Sequence, residues 1–501
     1  MVTGPHLTKI LALLGMLLII YPEVFAQSRG KKDVGNETVA RIVGRNYQRQ
    51  ENIPGKEIIL DGQIRYLYPD SITHSLFVQL KYFSKGGYPR NKGTLLVWDT
   101  DKERTLWREN INNEYEELAP LGNALLLKSE FKTRCFDRTK GTELWDNRNM
   151  ITYVHLKLGI AMGYKSNYMS ADASKLEGLN LRTGKKEWER KIYSKYSWAD
   201  MRELNDSVIL VAADALYTIN MKNGTGWRHE IFVKELPFPK GEEEFMQGFI
   251  SNIYVEGEKI YIASCDRLFC LDHAGKVLWV RGLPRKSTGE SLLFSQDSTL
   301  YMVNQGSGTV RGGVKKKWGT PYIAAFDKKS GLQKYFTAYP HDLGKVNHVQ
   351  VWQDSLCVLF DQCLIKSSLQ NTTEGIKIQL PEDKDVSTCF VGESTFVREN
   401  SKFKSLHERD STNYYILTAK QNILCVGTGI KILQPEEYHV SYLTYKGYHF
   451  IASGEESIVI DPSGEFWAHL RISQNAVRVE NKLYDAQDNK IVIVDLDEVV
   501  R

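Results

Sequence analysis

The stretch Leu179-Asn180-Leu181-Arg182-Thr183-Gly184-Lys185-Lys186-Glu187-Trp188 decides the fold. An apolar β-former runs into an Asn whose amide can close an Asx-type turn. Gly then supplies positive φ, and a second strand ends on Trp. The pattern recurs. It reads Phe136-Asp137, Gly141, Trp145; Ile219-Asn220, Gly224, Trp227; Leu271-Asp272, Gly275, Trp279; and Phe326-Asp327, Gly331, Tyr335. Trp98-Asp99 followed by Trp107 is an earlier copy, and Ile460-Asp461, Gly464, Trp467 a late one. Six of the ten tryptophans fall at this one place, which suits a large ring filling the gap between neighbouring sheets. Burying one such ring contributes roughly 1.5–3 kcal/mol.

A second signature lies upstream of each hairpin. Turns such as Asn205-Asp206-Ser207, Glu256-Gly257-Glu258, Gln296-Asp297-Ser298 and Gln353-Asp354-Ser355 precede apolar runs. It recovers units whose Gly and Trp have decayed: Leu356–Leu359 leading to Leu364–Leu369, Ser394–Val397 leading to Tyr414–Leu417, and Lys482–Tyr484 leading to Ile491–Asp495. With third strands ending near 99, 137, 180, 220, 272, 327, 369, 417, 461 and 495, the chain holds ten units. Their spacing of about 44 residues is that of a four-stranded propeller blade. The last unit runs out of chain after its third strand. Lys56-Glu57-Ile58-Ile59-Leu60 is an orphan strand ahead of the first unit, placed to supply the missing outer strand. Closing the ring that way removes the edges that invite aggregation. The expectation is an all-β protein, a single closed β-propeller of four-stranded antiparallel blades.

The hairpins at 136–145 and 179–188 resemble the repeat of the PQQ-like propeller family, and the resemblance covers nearly all the chain after residue 55. That family includes quinoprotein dehydrogenases and the propeller lipoprotein of the β-barrel assembly machinery. Its members usually have seven or eight blades. Ten units therefore imply either a larger ring or that two decayed units within 340–430 are insertions. WD40 repeats are a poorer match, because Trp98-Asp99 occurs once; kelch repeats would need Gly-Gly in register, and Gly86-Gly87 is not repeated so.

Around this body, residues 1–26 read as a signal peptide. Lys9 precedes the apolar run Ile10–Ile20, Pro22 breaks it, and Val24-Phe25-Ala26 suits cleavage. The run is shorter than the roughly 20 residues a bilayer span needs. Secretion or a periplasmic location follows, with residues 27–55 as a flexible leader and 56–501 as the propeller. Asn36, Asn205, Asn223 and Asn371 open Asn-x-Ser/Thr sequons, which matter only in a eukaryotic host.

Charge excludes one class of partner. Sixty-five basic and 61 acidic residues leave a net charge of +4, without the concentrated basic face that nucleic acid demands. The seven cysteines (135, 265, 270, 357, 363, 389, 425) mostly sit in apolar strand runs as small buried hydrophobes. There is no CxxC and no nearby His at zinc spacing.

For chemistry, the resemblance implies PQQ and Ca²⁺ only where adjacent cysteines and a catalytic Asp segment accompany the repeats. No two cysteines are adjacent here. A PQQ/Ca-dependent oxidoreductase or another propeller enzyme is thus the alternative, with no catalytic or metal-binding residue and no cofactor assigned. The glycine-rich stretch 306–319 lacks Gly-Lys-Ser/Thr and reads as a loop with a basic tip, Lys315-Lys316-Lys317. Leu236–Phe249 reads as a second long loop. Asp99-Thr100-Asp101-Lys102-Glu103 matches only half of a Ca²⁺ loop. Propellers bind ligands at the channel mouth, on innermost strands and the loops before them. Those segments carry Tyr153, His155, Trp198, Asp200, His348 and Tyr442. The expected role is a non-catalytic binding scaffold for another envelope or extracellular protein, or for a glycan.

Overall fold

Asn180 and Gly184 behave as their spacing predicts. The Asn180 amide oxygen accepts the backbone N–H groups of Arg182 and Thr183, and Gly184 turns the chain at φ +66°. Asp99, Asp137, Asn220, Asp327 and Asp461 likewise accept the N–H two residues on, and Asp272 accepts that of Lys276 four residues on. These turns join the third and fourth strands of four-stranded meanders.

The computed structural model describes residues 38–501 except 166–174, 194–197, 231–248, 310–314, 371–374, 382–385, 391–393, 410–413, 427–429 and scattered single positions. Among the described residues ten four-stranded antiparallel meanders follow one another. Blades 1 to 5 span 63–112, 117–147, 149–191, 200–230 and 254–282. Blades 6 to 9 span 291–338, 346–379, 386–433 and 438–470. Blade 10 takes three strands from 477–495 and its fourth from Glu51–Ile59, which runs antiparallel to Lys490–Asp495 with Lys56 opposite Ile493. The two decayed units are therefore blades and not insertions.

Second and third strands are buried on both faces, so they read as continuous apolar runs such as Ile260–Ala263 and Leu268–Leu271. Each blade shares a core with the next. The last shared core puts Ile58, Tyr484, Ile491 and Ile493 of blade 10 against Leu76, Val78 and Trp98 of blade 1. First strands of neighbouring blades lie side by side, as between blades 10 and 1 and blades 7 and 8, so they are the innermost strands.

The repeated Trp and Gly form a latch between blades. The Trp145 indole of blade 2 covers Gly184 of blade 3, where a Cβ would fall 2.6 Å from the ring. Its Nε1 donates to the Leu181 carbonyl at 2.8 Å. Trp107, Trp188, Trp227 and Trp279 repeat this on Gly141, Gly224, Gly275 and Gly331, donating to the carbonyls of Arg138, Met221, His273 and Lys328. Glycine is thus required twice over, for its positive φ and for the room it leaves the indole. In blade 6 Tyr335 replaces Trp and donates to Leu369. Between blades 8 and 9 the Phe403 backbone lies on Gly464 instead, its N–H donating to the Gly464 carbonyl at 2.7 Å.

Four expectations need correction. Strand begins at Thr38, within the stretch expected to be a leader. Thr38–Asn46 pairs with Glu51–Ile59 and also reaches the outer strand of blade 9 through Gly44–Asn46 opposite Ala468–Leu470. Both N-terminal strands are largely exposed, with Val43, Ile53 and Ile58 as their buried apolar residues, so they show no hydrophobic alternation. Blade 8 is registered differently: Tyr414–Thr418 is its second strand and Ile423–Val426 its third. The apolar segment Thr395–Glu399 instead belongs to an inserted hairpin that pairs with Tyr438–Val440 of blade 9. Finally, the 304–318 excursion is not all loop, since Ser307–Thr309 pairs with Lys315–Lys317. The signal-peptide segment and most of 236–249 lie outside the described residues. Among the described residues six cysteines are buried and none is joined in a disulfide, while the Cys389 side chain lies outside the described part. No helix among the described residues is long and apolar enough to cross a membrane.

Candidate functional site

In a four-stranded meander the first–second and third–fourth turns fall at one end, while the second–third turn and the link to the next blade fall at the other. The two ends of this ring differ. At the first end most turns are tight, as at 122–123, 257–258 and 480–481, the 391–413 insertion being the long exception. The other end carries the 166–174 and 305–321 second–third connections and the 231–253 link. It also carries an extended hairpin in blade 1.

That hairpin is built from Ser75–Phe83 and Pro89–Asp99, longer than the five- and six-residue partners in blades 2 to 5. Its surplus length lifts Phe83 and Tyr88 clear of the blade, and Tyr88 is 76% exposed. Lys81 Nζ lies 5.2 Å from the Phe83 ring centroid, Lys85 sits in the turn itself, and Arg90 and Lys92 follow on the exposed start of the return strand. Below it an open cleft of about 510 Å³ is lined by Tyr82, Arg90, Lys92, Thr94 and Asn110. Tyr82 donates to Thr94 Oγ1 at 3.1 Å, and burial pushes its phenol above the ordinary range. Exposed aromatic rings beside cations can stack on a planar or sugar face and hold an anion. The sequence signal for this tip was Gly86-Gly87 inside a strand-rich run, with Gly87 at φ +81°.

The channel-side residues do not converge. Tyr153, on the first strand of blade 3, donates to Glu203 on the first strand of blade 4 at 2.5 Å. Burial and that carboxylate raise its pKa. His155 is buried, and its Nδ1 accepts the Leu158 N–H. Trp198 donates to the Tyr164 hydroxyl, Asp200 accepts the Ile253 N–H, and Tyr442 shares a hydrogen bond with Ser457. His348 is half-buried on the first strand of blade 7. Tyr153, Trp198, Asp200 and Tyr442 thus tie strands and blades together at separate seams, while His155 caps its own turn.

The tight-turn end holds a cluster that spacing in the chain does not reveal. His74 Nδ1 lies 3.2 Å from Asp101 Oδ2 and 3.4 Å from Glu480 Oε1. His74 and Asp101 are on turns of blade 1, Glu480 on the first turn of blade 10. Asp99, which begins the half Ca²⁺ loop, is spent on the Asp101 and Lys102 N–H groups and on the Lys102 ammonium. Glu103 faces Lys56 and Lys482.

Residues 83–281 match the family described as outer membrane protein assembly factor BamB. That span runs from the blade 1 hairpin to the end of blade 5, where the Trp-on-Gly latch is unbroken. No curated protein matches the chain. Among solved structures, BamB from Moraxella catarrhalis is 13% identical with a TM-score of 0.30, over 76% of this chain and 93% of that one. A europium-containing methanol dehydrogenase is 9% identical with a TM-score of 0.32, over 71% and 81%. The computationally designed Ika8 protein is 8% identical with a TM-score of 0.32, over 71% and 96%.

Proposed function

We propose that this chain, a propeller of PQQ-like repeats, is an exported scaffold that holds another envelope or extracellular protein on its elaborated end. The observation that carries the proposal is the blade 1 hairpin. A propeller gains nothing in stability from lifting Phe83 and a largely exposed Tyr88 beyond the blade edge, so their use lies in contact with something else. The match of residues 83–281 to an outer-membrane assembly factor supports a protein partner in the envelope. The cations around the tip favour an acidic face on that partner, and glycan binding is the alternative occupant of the same surface.

The test replaces Lys85–Tyr88 with Gly-Ser and compares cross-linked partners in the producing cell. Loss of one defined protein adduct with an unchanged melting temperature is the expected result. An adduct pattern identical to the wild type would remove the hairpin from the binding surface.

A further inference from the structure

We infer that His74, Asp101 and Glu480 form a binding site for a divalent cation of the zinc class, bridging blades 1 and 10 where the ring closes. The three donor atoms lie within 4.8 Å of one another. Ligand atoms about 2.0–2.1 Å from a four-coordinate zinc stand roughly 3.3 Å apart, which is the spacing of His74 Nδ1 from both carboxylates. One imidazole and two carboxylates form a three-ligand set that leaves a fourth position for water. Such a set favours Zn²⁺ or Co²⁺ over Ca²⁺ and Mg²⁺, which take six or more oxygens.

Charge points the same way. The lysines of this seam are committed elsewhere, Lys102 to Asp99 and Lys56 and Lys482 to Glu103. The ion-pair partner of both Asp101 and Glu480 is His74. Two carboxylates flank one imidazole, and a dication held among them offsets the repulsion between the two acids.

The frame is also fixed in advance. The His74 carbonyl accepts both the N–H and the hydroxyl of Thr100, at 2.9 and 2.7 Å. Thr100 in turn hydrogen-bonds the buried Tyr484 of blade 10. His74 and Glu480 both hold the left-handed conformation, at φ +48° and +52°, where blades 2, 3 and 5 use Gly122, Gly159 and Gly257. Side chains stand there at a backbone cost that glycine does not carry.

The experiment is calorimetric titration of the full chain, stripped with EDTA, with ZnSO4, followed by Co²⁺ spectroscopy. His74→Gly keeps the left-handed turn without the ligand, and Glu480→Gln alters an exposed group, so neither variant threatens the fold. The expected result is one Zn²⁺ per chain and a raised melting temperature in the wild type. The d–d bands of four-coordinate Co²⁺ should appear, and either variant should weaken binding by roughly tenfold or more. Equal Zn²⁺ binding by wild type and both variants, or no binding by the wild type, would overturn the assignment.

Discussion

Lys56 stands opposite Ile493 in blade 10, the register position that Trp188 holds opposite Gly178 in blade 3. Glu103 occupies the left-handed turn position held by Gly in blades 2 to 6, at φ +50°. Their side chains meet at 2.8 Å. Where the ring closes, an ion pair has replaced the indole-on-glycine latch.

Salt and acid should therefore loosen this seam selectively. Burial raises the Glu103 pKa, but Lys56 and Lys482 outweigh it and hold the carboxyl below its ordinary value. A depressed folded pKa gives stability that is present above the unfolded carboxylate value, near 4.3, and lost as pH falls through the folded value. Lys56→Met should cost less than about 1 kcal/mol at neutral pH, since the lysine is half exposed. The deficit should shrink in 1 M salt and at low pH, measured by denaturant titration.

Restoring the common latch is a stricter check. Lys56→Trp alone sets an indole against Glu103, and Glu103→Gly alone leaves Lys56 and Lys482 without their carboxylate. The double variant recreates the pair used elsewhere. A coupling of about 0.5–3 kcal/mol in its favour is expected from the double-mutant cycle.

Within the regular blades, Gly224→Ala should be costly. Its φ is +72°, and a Cβ would lie 2.7 Å from the Trp188 ring. Left-handed strain and overpacking together predict a loss of about 2–4 kcal/mol. Trp188→Phe keeps an aromatic ring but removes the donor to Met221, with an expected loss of about 1–3 kcal/mol. Equilibrium unfolding of each variant measures both.

Thiol chemistry should be silent in the folded state. Burial pushes Cys135 up to about 12 and Cys270 to about 11, so the reactive thiolate is scarce at neutral pH. Alkylation mapped by peptide mass spectrometry should leave the six buried cysteines unmodified until the protein unfolds.

The fold was legible because its signal is local and repeated. Asn180, Gly184 and Trp188 each declare a turn, a positive φ and a wedge within ten residues, and the upstream turns extended the count to blades 7 and 10. Blade 8 was misregistered because the apolar segment at 395–399 imitates a second strand while pairing with blade 9. Thr38–Asn46 escaped notice because it buries little apolar surface. The site was hardly legible at all. His74 and Asp101 lie far along the chain from Glu480, and only ring closure brings them together. Tyr153, Trp198 and Asp200 had the right position for a channel mouth, but their polar atoms are bound to neighbouring strands.

The central claim is that the N-terminal strand completes the tenth blade. Removing 38–46 alone should cost less than removing 38–61, since it takes away Val43 and the pairing to blade 9 but leaves Glu51–Ile59 beside Lys490–Asp495. The direct measurement is thermal unfolding of the chain begun at residue 62 beside the chain begun at residue 38. A large fall in melting temperature, with Ile491 and Ile493 stripped of their cover, is the predicted result. An unchanged melting temperature would contradict closure by that strand.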